Sequence, residues 1–259
     1  MRILIANDDG IYSPGLLALA RCASRFGTVR IFAPDVEQSS MGHAITYTRP
    51  LSIKRTPIES FEAWRVNGTP ADCVALGLSF EGGADIVLSG INLGVNLGNS
   101  AWHSGTLAAA RQAALLGARG IALSTPTGDA EPDFTGLESF VHQVLERVLP
   151  EPGLQLVNVN LPREPRGLCW TRLSVRHYDT RVLPGQDPMG RKNYWLTIQA
   201  IEDVDQGTDR WAVRHQYVSL TPLRIDITDE DALQVAVAHQ PTEPAPAGVA
   251  TNTDDLDEA

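Results

Sequence analysis

Four short runs of almost purely apolar residues constrain the fold more than any other feature: RILIA at 2–6, TVRIFAPD at 28–35, ADIVLSGIN at 84–92 and GIALS at 120–124. Each is too short for a globular helix and lacks the polar alternation of a strand with one wet face, so each reads as a strand covered on both faces. Helix signals lie between them. Residues 13–26, SPGLLALARCASRF, open with Ser and Pro, expected as N-cap and first helical residue, and Gly27 is expected to close the helix. GTPADCVALGL, from Gly68, repeats the signature with Thr69 as cap, Pro70 next and Asp72 completing a capping box. SGTLAAARQAALLGARG, from Ser104, is rich in Ala and Leu and ends at glycines. Strands alternating with helices predict an α/β fold, a Rossmann-like open and mostly parallel sheet with helices on both faces.

Residues 1–165, with a further helix over 134–149 and a strand over 154–162, are expected to form this core. From 166 to about 235 the chain mixes turn residues with Tyr, Trp and alternating polarity, which predicts a projecting β-hairpin across 172–213 and a closing strand in YVSLTPLRIDIT. The last 19 residues contain five acidic residues and no Lys or Arg, so 240–259 read as a disordered acidic tail.

In an open parallel sheet, ligands bind beyond the carboxyl ends of the strands. Here the first run ends in NDDG, with Asp8 and Asp9 adjacent; Ser39 and Ser40 follow the second run, and Asn92 ends the third. NDDG alone is an ordinary turn. Its convergence with two other oxygen-bearing strand ends points instead to a site, because adjacent carboxylates that repel each other are accommodated by a cation. Carboxylate, hydroxyl and amide oxygens without His or Cys make a set for a hard divalent cation, Mg, Mn or Ca. The glycine-rich segment GINLGVNLGNSAWHSGT runs into the helix at SGT, where backbone N–H groups with the Ser104 and Thr106 hydroxyls form an anion cradle; one of the two hydroxyls is expected to cap the helix. His103, just before SGT, is expected beside the site as an acid or supporting group, and His43 as a structural hydrogen bonder.

Other chemistries are disfavoured. Gly90, Gly94 and Gly98 are spaced by four, not as GxGxxG, and no GxSxG, HExxH or Walker lysine motif occurs. Gly10 stands two residues after Asp8, where phosphatases that form an aspartyl phosphate carry a second Asp. With 21 basic and 31 acidic residues the net charge is −10, which disfavours a nucleic-acid-binding face. Three scattered cysteines suggest neither a disulfide framework nor a thiolate metal site, and no signal peptide or membrane helix is evident, so the chain is expected in the cytoplasm.

Four motifs in order, NDDGIYSPG, APDVEQSSMGHAIT, GTPADCVALGL and SGINLGVNLGNSAWHSGTLAAA, closely resemble the survival protein SurE family, and the likeness continues through NVNLP and YVSLTPL to about residue 235. The resemblance implies a metal-dependent phosphatase acting on nucleoside 5'- or 3'-monophosphates, often on short polyphosphate as well. It implies one divalent cation per subunit on Asp8, Asp9, Ser39 and Asn92, with phosphate contacts from Asn96, Ser104, Gly105 and Thr106; in the mechanism expected here, Asp8 or Asp9 is the base. It also implies a homodimer or homotetramer built by exchange of C-terminal elements. Asn99, Ser100 and His103 depart from the family pattern. The alternative is a nucleotide- or metal-binding protein without turnover.

Overall fold

The computed structural model describes residues 1–80, 82–128, 134–175, 180–198 and 204–239. The expected acidic tail, 240–259, lies outside them, as do 176–179 and 199–203 within the expected hairpin region. The chain divides into two units, Met1–Ile225 and Asp226–Ala259.

Strand β1 (Arg2–Ala6) leads through α1 (Pro14–Ala23) to β2 (Thr28–Pro34), and two short strands follow, β3 (Ile53–Arg55) and β4 (Glu62–Val66). Helix α2 (Pro70–Ser79), β5 (Ile86–Leu93), α3 (Gly105–Leu115), β6 (Arg119–Thr125), α4 (Glu138–Val148) and β7 (Leu156–Asn160) complete the core. After β8 (Gly167–Trp170), β9 (Thr180–Gln186) and β10 (Lys192–Ile198) form an antiparallel hairpin, followed by α5 (Asp209–Arg214) and β11 (Tyr217–Pro222). The second unit contains α6 (Glu230–Ala238), capped by Asp229, whose carboxylate accepts from Ala232 N; none of its residues is buried.

The nine-stranded sheet has the order β3-β4-β2-β1-β5-β6-β7-β11-β8 and is parallel except where β3 meets β4 and β11 meets β7. β1 therefore lies between β2 and β5, and the chain runs outward from it through β2 and β4 on one side and through β5, β6 and β7 on the other. That reversal opens a crevice at the carboxyl end of β1. Alternation along β1 divides the core: Ile3 and Ile5 pack with Leu16, Leu19, Val141 and Leu145 of α1 and α4, whereas Leu4 and Ala6 pack with Cys73, Val74, Ala109 and Ala113 of α2 and α3.

The Thr69 capping box forms as expected, its hydroxyl accepting from Asp72 N at 3.1 Å while the Asp72 carboxylate accepts from Thr69 N at 2.9 Å. Ser13 differs. Pro14 opens α1, but the Ser13 hydroxyl makes no cap bond and is buried without a partner, so α1 starts on proline geometry alone. The helix stops at Ala23, with Ser24 as its C-cap, rather than at Gly27; a Cβ added at Gly27 would lie 2.0 Å from Met1 O. Residues 209–214, read as hairpin, form α5, whose N-cap Thr208 accepts from Trp211 N.

Candidate functional site

The NDDG segment is folded by its own side chain and by β2. Buried Asn7 donates from Nδ2 to Gly10 O at 2.9 Å and closes the turn, while Ile11 N donates to Pro34 O at 2.9 Å. Gln38 N donates to Asp8 O at 2.8 Å, which draws the loop after β2, with Ser39, against the end of β1. Asn92 comes from the other side. Between the Ser89–Ala122 and Asn92–Ser124 pairs, β5 carries one residue more than β6, and this bulge re-aims the strand end. The Asn92 amide donates to Gly94 O at 2.6 Å, leaving its carbonyl oxygen as the lone-pair donor.

Asp8, Ser39, Asn92, Asn96, His103 and Ser104 line one cavity of about 470 Å³, with Thr180, Leu196 and Thr197 of the hairpin forming part of its wall. Asp9 is not on this wall. It is partly buried, and its Oδ2 is buried with no hydrogen-bond partner. Burial, and then the neighbouring Asp8 carboxylate, push the Asp9 carboxyl up to about 7. Asp8 is also raised, by burial first, with the Thr106 hydroxyl opposing. Ser39 is exposed and donates to Glu37 Oε1 at 2.6 Å, so its oxygen lone pairs remain available. No three His, Cys, Asp or Glu side chains gather into a metal-binding cluster among the described residues, so any cation here must draw on the Ser39 and Asn92 oxygens as well. A carboxylate oxygen buried without a partner beside a second carboxylate is a donor set suited to a hard cation.

Helix α3 brings its first turn onto Asp8. The Thr106 hydroxyl, fully buried, donates to Asp8 Oδ1 at 2.6 Å and so points at the carboxylate rather than into the cavity. A Cβ on Gly105 would stand 2.9 Å from Asp8 Oδ2, so only glycine permits this approach. Ser104 is the expected cap, accepting from Leu107 N at 3.0 Å, and its hydroxyl keeps a proton to donate. His43 lies off the cavity wall, its Nε2 paired with Gln112 Oε1 at 2.8 Å.

Asn96 is held by residues that the sequence reading did not single out. Asn160 accepts from Asn96 N through Oδ1 at 2.8 Å, Asn158 donates to Asn96 O at 2.8 Å, and the Asn96 amide donates to Ser124 Oγ at 2.8 Å. Asn158, Asn160 and Ser124 are fully buried. The available signal was two asparagines at alternate positions in an otherwise apolar strand, which puts both on one face.

The survival protein SurE family model matches residues 3–180. The chain is 47% identical over 242 residues to 5'-nucleotidase SurE 1 of Thermus thermophilus, covering 90% of this chain and 96% of that protein. It is 42% identical over 241 residues to 5'-nucleotidase SurE of Deinococcus radiodurans, covering 90% of each. Among solved structures, the SurE protein of Aquifex aeolicus superposes with a TM-score of 0.79 at 37% identity, covering 91% of this chain and 98% of that one.

Proposed function

Because the chain belongs to the survival protein SurE family, we propose that it is a 5'-nucleotidase that hydrolyses nucleoside monophosphates with the help of one divalent cation, Mg or Mn, per subunit. The observation that carries this reading is the pair of adjacent carboxylates after β1: Asp8 lines the cavity together with Ser39 and Asn92, and Asp9 next to it has an Oδ2 that is buried without a hydrogen-bond partner. Asp8, Asp9, Ser39 and Asn92 would hold the cation. Bound there, it would lower the pKa of a water and neutralise charge on the phosphoryl group.

The chain's own groups do the rest. The Ser104 hydroxyl and the Asn96 amide bind phosphoryl oxygens from the cavity wall, and Gly105 adds its N–H at the start of α3. Thr106 orients Asp8 instead of touching phosphate. His103, exposed at the cavity wall, is the candidate to give the leaving oxygen a proton. Action on 3'-monophosphates and short polyphosphate is part of the proposal.

Self-association is proposed on the hairpin, where Val182, Leu183, Tyr194, Trp195 and Leu196 are exposed apolar residues. No described helix is long and apolar enough to cross a membrane. The free cysteines Cys22, Cys73 and Cys169 support a reducing compartment, the cytoplasm.

The test is phosphate release from a panel of 5'- and 3'-nucleoside monophosphates, with Mg, with Mn and after chelation, by the native chain and by Asp8→Asn. Metal-dependent release that collapses in the variant is expected. Nucleotide binding with no release under any metal would favour a binding protein without turnover.

A further inference from the structure

Asp209 is fully buried, and its carboxylate gathers three backbone N–H groups from separate parts of the chain. Oδ2 accepts from Gly98 N at 2.8 Å; Oδ1 accepts from Ser174 N at 2.9 Å and from Arg210 N at 2.7 Å. Gly98 ends the loop that carries Asn96 to the cavity wall, and Ser174 belongs to the segment that precedes the hairpin. A second set of bonds runs alongside. Asp209 N donates to Arg172 O at 2.9 Å, Arg172 N donates to Gly207 O at 3.1 Å, and Asn99 Nδ2 donates to Val175 O at 3.2 Å. The two segments also touch directly: Gly98 has φ +56, and a Cβ there would lie 2.2 Å from Ser174 O.

A carboxylate taken out of water is unfavourable unless its lone pairs are satisfied, and here backbone donors satisfy them. Packing alone would be served by an apolar residue at this place. The acid is needed because the Gly98 and Ser174 N–H groups both require an acceptor at the same point.

We propose that Asp209 is a positioning residue for the phosphate-binding wall. It fixes Gly98, and through it Asn96 and Ser100, in common with the segment leading to the hairpin that supplies Thr180, Leu196 and Thr197 to the same cavity. The loop at Gly98 and the segment at Ser174 are thereby held by one buried group. This inference rests on the reading of the cavity as a phosphate site.

The test uses the full chain with Mg and inorganic phosphate as the probe, followed by calorimetry, in Asp209→Asn, Gly98→Ala and the double variant. Each single change is expected to weaken phosphate binding at least about tenfold, the order expected when a buried hydrogen bond to a charged group is lost. The double variant should be no weaker than the worse single one, because both changes break one contact. Mg affinity without phosphate should stay unchanged, and amide exchange at 96–100 and 172–175 should accelerate together in Asp209→Asn. Native phosphate affinity in the folded variants, additive losses, or a parallel loss of Mg affinity would each overturn the proposal alone. A native chain that binds no phosphate would overturn the site reading and this inference together. If Asp209→Asn does not fold, the phosphate and Mg affinities of Gly98→Ala decide.

Discussion

The Thr106 hydroxyl donates a 2.6 Å hydrogen bond to Asp8 Oδ1, joining the first turn of α3 to the end of β1 across 98 residues of sequence. It orients a carboxylate in the candidate cation site. Thr106→Val keeps the side-chain shape and removes the donor, so the Mg concentration for half-maximal phosphate release should rise about 10- to 100-fold. Thr106→Ser should remain near native. A Val variant with an unchanged Mg titration would show that the bond does not orient Asp8.

Gly105 brings the start of α3 onto Asp8 so closely that an added Cβ would meet both Cβ and Oδ2 of Asp8 at 2.9 Å. Gly105→Ala should therefore move Asp8 and lower kcat/KM at least about tenfold, the order expected for a misplaced catalytic group. Alanine favours the helix by about 1 kcal/mol over glycine, so the melting temperature should change little. Native kcat/KM in this variant would mean that the site tolerates the displacement.

The raised carboxyls give the metal-free protein a pH dependence of definite sign. Asp9 sits at about 7 in the folded chain against an ordinary 3.8, so between these values the folded chain holds a proton that the unfolded chain has released. Its contribution to stability is full below the unfolded value and is lost as pH rises through the folded one. The melting temperature of chelator-treated protein should fall between about pH 4 and about pH 7 relative to Asp9→Asn, which removes this group alone from the comparison. Mg should restore it at neutral pH and much less under acid conditions, since the cation competes with the proton. Parallel pH profiles for the native chain and Asp9→Asn would contradict this account.

Asn160 holds both backbone polar groups of Asn96, accepting from its N–H at 2.8 Å and donating to its carbonyl at 3.2 Å. Asn160→Ala leaves the Asn96 N–H buried without its acceptor, which should lower stability by about 1–3 kcal/mol in denaturant unfolding. KM for nucleotide should rise more than kcat falls, because the loop and not the base is disturbed. A fall in kcat alone would argue that Asn160 acts on the chemistry rather than on binding.

Much of the fold was legible in the sequence because the signals are local. Strands buried on both faces read as apolar runs, and Thr69 with Asp72, or Ser104 with Leu107, act over three residues. The same locality puts Asp8 and Asp9 just after β1, Asn92 at the end of β5 and Ser39 in the loop that follows β2. The edge strands β3 and β8, and β4 between β3 and β2, escaped, since partly exposed strands carry no continuous apolar run. Ser13 shows the limit of a local signal: its sequence is that of a cap, yet its hydroxyl makes no cap bond.

Tertiary structure alone decided the rest. Thr106 turns to Asp8 across 98 residues, Asn158 reaches Asn96 across 62, and Asp209 reaches Gly98 across 111. No periodicity or cap encodes such pairs. The sequence by itself determined a parallel α/β sheet, the placing of oxygen-bearing residues at its strand ends, and the helix that starts at Ser104. Which of those side chains face the cavity, which support them from behind, and that a buried acid after the hairpin holds the loop, followed from the order β2-β1-β5 and the strands beyond it. That order brings distant segments within hydrogen-bond reach, and buried polar groups then must find their partners there.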